Sequence, residues 1–234
     1  MKRWMRAIGA AALLAATAGA LAADGRDDET FDVSAGNLLV VLRESPGANK
    51  QDEGLTPFGK LSARAPDGRE FEFEASWFQY LGDMHLRLVF DGTRRVQSAI
   101  PDDLSRLHLS PEQALATAVD NLRRRYGEPV AEPWSGGLMQ VHGGAPELDS
   151  SYFLDRDFWL GRLRESPAGI VAAVPDRGGL VFAPADDDAA IATLRFSAAA
   201  LFARNDDTRI SSGLYLFRDG HWSVFQPPQK SAGD

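Results

Sequence analysis

Residues 142–157 gather one imidazole and four carboxylates: His142, Glu147, Asp149, Asp155 and Asp157. Carboxylates beside a histidine are the groups that general acid–base hydrolysis uses, one donating a proton and another accepting it. His142, Glu147, Asp155 and Asp157 therefore define one chemical reading, a hydrolase. The spacing does not match the D-x-D-x-D-G of a calcium loop, so no metal is expected there, and a solvated acidic loop is the simpler account. The remaining histidines, His85, His108 and His221, lie far apart and form neither H-E-x-x-H nor a close pair able to seed a zinc site. There is no G-x-S-x-G, no S-x-x-K and no cysteine, so no nucleophile motif stands out.

Two further stretches invite a functional story. "GLTPFGKL", residues 54–61, satisfies the G-x-x-x-x-G-K of a phosphate-binding loop. That loop needs a strand before it, a helix after it and a Ser or Thr following the lysine. Here Leu61 follows, Pro57 interrupts and a strand is expected next, so no nucleotide cofactor is implied. "LSPEQALATAVDNLRRRYGEP", residues 109–129, places Asn121 and three arginines on one helix. Arg123, Arg124 and Arg125 fall in its last turn, where cations complement the helix dipole. No basic patch extends beyond them. Asn121 lies at the edge of the buried stripe, beside Ala114 and Ala118. A buried amide needs partners, so it is expected to clamp a neighbouring loop's backbone, with a ligand contact as the alternative. Trp77, Phe78 and Tyr80, with Trp134 and Trp159, are read as core aromatics before groove residues.

The elements that position these residues follow from periodicity. "LLVVLRES" is a continuous apolar run and reads as a buried strand. Residues 45–54 are polar and contain Gly and Pro, hence a loop. Around Pro66-Asp67-Gly68, Phe71 and Phe73 alternate with Glu70, Glu72 and Glu74, the pattern of a hairpin with one wet face. Met84, Leu86, Leu88 and Phe90 alternate with His85, Arg87 and Asp91, predicting a strand with His85 on its polar side. Ser110, Pro111 and Gln113 form a helix start with a capping box, and Leu115, Ala118, Val119, Leu122 and Tyr126 form its apolar stripe.

A hairpin is expected over 170–184. A second helix spans about 187–204, opened by Asp186, Asp187 and Asp188, whose charges suit a helix N-terminus. The chain closes on the hairpin "GLYLFRDGHWSVF". The fold class is α+β, a largely antiparallel sheet built of hairpins with two principal helices packed on it. Two units read alike in element order, as similar ββαβ units without residue identity.

At the N-terminus, Lys2, Arg3 and Arg6 precede an Ala/Leu/Gly run ending at Ala20-Leu21-Ala22. This has the three regions of a secretory signal, with cleavage before Ala23. The run is too weakly apolar for a membrane anchor. Residues 1–22 are thus read as a signal peptide and 23–234 as one domain, periplasmic or secreted. The whole chain has formal charge −8, and removing three basic residues makes the mature chain more acidic still. Such a surface disfavours nucleic acid. A protein or small-molecule ligand is the expected partner.

The order of "VVLRES", "LSPEQALATAVDNLRRRYG", "DSSYFLDRDFW", "GIVAAVPDRGGLVFAP" and "GLYLFRDGHWSVF" resembles the YtpQ-like family of uncharacterised bacterial proteins. The resemblance spans about residues 38–226 and rests on A-x-x-N-L-R (Ala118, Asn121, Leu122, Arg123) and A-V-P with an apolar return (Ala173, Val174, Pro175, Leu180 to Phe182). It implies no activity. Arg43 and Asp149 are the next polar residues within the matching segments, and together with Asn121 they are the candidate binding residues. The preferred reading is a non-catalytic exported domain that binds through a groove near its first helix.

Overall fold

The structure, a computed structural model, describes residues 31–65, 67–92, 95–204 and 207–229. The expected signal peptide lies outside them. After a short 3-10 turn at Ala35–Asn37 come β1 (Leu38–Glu44), β2 (Thr56–Pro57), β3 (Lys60–Arg64), β4 (Glu70–Glu74), β5 (Trp77–Leu81), β6 (Met84–Asp91) and β7 (Val96–Ser98). Then follow α1 (Pro101–Arg106), α2 (Pro111–Tyr126), β8 (Val130–Pro133) and β9 (Met139–His142). A 3-10 run, Pro146–Leu154, leads into α3 (Arg156–Leu163). The chain ends with β10 (Ile170–Asp176), β11 (Gly179–Pro184), α4 (Asp188–Arg204), β12 (Leu214–Arg218) and β13 (His221–Gln226).

The architecture is α+β with antiparallel sheets built of hairpins. The first sheet runs β1-β6-β5-β2 with β7 also on β6, and the second runs β13-β12-β10-β11-β9-β8. Among the described residues β3 and β4 pair only with each other, and Phe71 is 40% exposed. One apolar core joins the two sheets through residues such as Leu38, Phe90, Phe153, Tyr215 and Trp222, and a smaller cluster lies under α4. α2 packs on β1 and α4 on β10 and β11. These are the two helices that the apolar spacing predicts.

Three expectations need correction. His85 is buried, not on a wet face. Trp77, Phe58 and Ser45 cover that side of β6, so alternation in the strand did not mean exposure. The likeness of the two halves stops after the helix. β12 returns to pair with β10, whereas β8, which follows α2, leaves the first sheet and pairs with β9 in the second. Finally α1 adds a helix where none was expected, held at its start by Asp103, whose carboxylate accepts from Ile100 N at 3.0 Å.

Candidate functional site

Asn121 sits on the face of α2 turned toward β1, the edge strand of the first sheet. An edge strand presents every second carbonyl to whatever lies beside it. Those of Leu38, Val40 and Leu42 are each taken by a side chain. Asn121 Nδ2 donates to Leu38 O at 2.8 Å and to Ala35 O at 2.7 Å. Ser151 Oγ donates to Val40 O at 2.9 Å, and Arg43 Nη1 to Leu42 O at 2.6 Å. Asn121 and Arg43 therefore share a strand edge, at its opposite ends.

Asp149 belongs to the same seal at one remove. Its carboxylate accepts from Gly143 N at 2.9 Å and so ties the 3-10 run that carries Ser151 to the end of β9. Burial pushes its acid up to about 6, although the Gly143 amide and His142 act the other way.

The arginine run does more than complement a dipole. Arg124 donates to Asn121 Oδ1 at 2.5 Å and to Gly36 O at 3.2 Å. Arg125 reaches Asn37 Oδ1 at 2.6 Å and Asp91 at 3.1 Å. Arg123 lies against Glu128 at 2.7 Å, Asp155 at 3.2 Å and Asp157 at 3.6 Å. Arg124 and Arg125 thus tie the end of α2 to the Ala35–Asn37 turn, Arg125 also to β6, and Arg123 ties it to the start of α3.

The acid–base cluster divides. His142 faces Glu132 at 3.5 Å and lies apart from the Asp155–Asp157 pair, which is turned to Arg123. Asp155 is fully buried. Its Oδ1 caps α3 by accepting from Phe158 N at 3.1 Å. Its Oδ2 is within ion-pair reach of Arg123 but out of line for a hydrogen bond, and burial raises its pKa. Of the four residues of the hydrolase reading, Asp155 and Asp157 line one groove, and His142 and Glu147 are not part of its lining.

A groove of about 830 Å³ runs along the other side of α2. Glu112, Leu115, Ala116, Val119, Asp120 and Arg123 line it at helical spacing, while Ala114, Ala118, Asn121 and Leu122 point to the core. The opposite walls come from residues 51–55, the start of α3 and the start of β13. Its apolar floor includes Leu115, Val119, Leu154 and Trp222.

Glu53 holds these walls together and was not visible as a site residue in the sequence. Its carboxylate accepts from Tyr80 OH, from Arg156 Nη2 at 2.5 Å and from Trp222 N at 3.0 Å. A lone glutamate in a polar loop carries no periodic signal, so only the tertiary contacts reveal it. Of the candidate residues, Asp155 and Asp157 line the groove; Asn121, Arg43, Asp149, His142 and Glu147 do not. Comparison with family models, with curated proteins and with solved structures finds no match for this chain.

Proposed function

We propose that the chain is an exported YtpQ-like domain that binds without catalysis, its groove along α2 taking a small molecule with an apolar body and a cationic group. The observation that supports this is the lining: six carboxylates against two guanidiniums above an apolar floor. Both guanidiniums are already engaged, Arg156 by Glu53 and Arg123 by Asp155 and Asp157. Asp52, Glu112 and Asp120 have no ion-pair partner among the described residues. A ligand cation entering here meets excess negative charge beside low-dielectric walls, where Coulomb attraction is several times stronger than in water. The volume lies within the usual range for small-molecule sites.

Export rests on the charged, apolar and A-x-A regions of residues 1–22. No helix among the described residues is long and apolar enough to cross a membrane. The test is an amide-resolved NMR titration of the mature protein with phenylpropylammonium and, separately, phenylpropionate. The cation is expected to shift the amides of Leu115, Ala116 and Val119 and the indole of Trp222. Equal shifts from the carboxylate, or shifts elsewhere only, would overturn the reading.

A further inference from the structure

The unmatched charges of the groove have a spacing that α2 sets. Glu112 and Asp120 both line it and stand eight residues apart in the sequence. At a rise of about 1.5 Å per residue, the helix holds them about 12 Å apart along its axis. Their Cα–Cβ bonds tilt the same way along that axis, so the two side chains set out with the same spacing. Leu115, Ala116 and Val119 fall between them on the groove side. The wall therefore runs carboxylate, apolar stretch, carboxylate.

Neither carboxylate is matched by a base among the described residues. Residues three and four positions on are the ones a helix offers as ion-pair partners. For Glu112 these are Leu115 and Ala116, and its Oε2 accepts from a neutral donor, Ser110 Oγ, at 3.0 Å. For Asp120 they are Arg123 and Arg124, yet both are turned elsewhere. Arg123 lies against Glu128 at 2.7 Å, Asp155 at 3.2 Å and Asp157 at 3.6 Å. Arg124 donates to Asn121 Oδ1 at 2.5 Å and to Gly36 O at 3.2 Å. Three carboxylates around the one guanidinium of Arg123 leave that end of the groove negative.

A ligand with a single charge answers one of the two carboxylates and lays its apolar part toward the other. A carboxylate that gives up water to an apolar neighbour without gaining a counter-charge is destabilised. A linear ligand charged at both ends meets both, while its methylene chain covers Leu115, Ala116 and Val119. An extended chain advances about 1.2 Å per bond, so nine bonds between two nitrogens span about 11 Å. Alkylamines, like the lysine side chain, are protonated at neutral pH.

We infer that the groove takes a linear aliphatic diamine in its diammonium form, one ammonium on Glu112 and the other on Asp120. The inference rests on the cationic reading of the groove and adds to it a second charge and a length.

The experiment is calorimetric titration of the mature protein, at one ionic strength, with octamethylenediamine, octylamine and tetramethylenediamine. Octylamine has the same chain with one charge, and tetramethylenediamine has both charges on about half the span. Octamethylenediamine is expected to bind one-to-one and at least about tenfold more tightly than octylamine. Tetramethylenediamine is expected to bind no more tightly than octylamine. Glu112→Gln and Asp120→Asn, with thermal melts to confirm folding, should each remove the advantage of the long diamine. The amine series on the wild type decides the matter without either variant. Octylamine binding as tightly as octamethylenediamine would refute the second charge and leave the cationic reading standing. Equal affinity for the two diamines, or an advantage kept in both folded variants, would refute the spacing. Absence of binding by all three amines would overturn this inference and the cationic reading together.

Discussion

At the scale of single residues, the amide of Asn121 joins α2, the Ala35–Asn37 turn and β1 through two donated bonds and one accepted bond. Asn121→Ala should lower stability by about 1–3 kcal/mol, because it leaves buried carbonyls unpaired. Asn121→Asp should cost as much or more, and urea unfolding of both variants measures it. Asp83 makes the opposite kind of statement. It is buried between the β5–β6 turn and β12, accepts from Tyr215 OH at 3.1 Å, and is raised to about 6, chiefly by burial. Its unfolded value is near 3.9, so the folded state holds the proton more tightly. That contribution is complete below about pH 4 and is lost as pH rises through about 6. Asp149 adds in the same direction. Asp83→Asn should therefore match the wild type at pH 4 and exceed it at pH 7 by roughly 2–3 kcal/mol at most. A wild type that gains on Asp83→Asn as pH rises would refute this. The role of Asn121 was legible in the sequence because an amide beside a small-residue stripe must find backbone partners. That of His85 was not, since strand alternation does not say whether a second layer covers the other face.

At the scale of elements, α2 shows what periodicity resolves and what it merges. Its start was legible from Ser110, Pro111 and Gln113, and both capping-box bonds are present. Its apolar stripe, however, is two stripes. Ala114, Ala118 and Leu122 pack inward, whereas Leu115 and Val119 floor the groove. A single sequence cannot divide them, because the facing wall comes from loop 51–55, α3 and β13, all remote along the chain. Glu53 is the tie between those walls. Glu53→Ala should leave the sheets intact but speed hydrogen exchange at the amides of residues 50–54 and Trp222, by about tenfold or more for the loss of charge-assisted bonds. Unchanged exchange there would show that the bridges Lys50↔Gly82 and Asp52↔Ser223 hold the loop without it.

At the scale of the whole molecule, the acidic charge and the N-terminal run are the features on which the proposal of an exported binding domain rests. Expression with the native N-terminus in a Gram-negative host should yield a periplasmic chain starting at Ala23, and intact mass reads this directly. A membrane-bound product retaining Met1 would contradict it. The groove carries the central claim. Its most direct test is calorimetry with phenylpropylammonium and phenylpropionate on the mature wild type, on the double variant Glu112→Gln/Asp120→Asn and on Ala116→Trp. The account predicts that the cation binds at least about tenfold more tightly than the anion, that this preference shrinks with added salt and in the double variant, and that Ala116→Trp abolishes binding while melting as the wild type does. Equal affinity for the two charges, or full binding by Ala116→Trp, would contradict it.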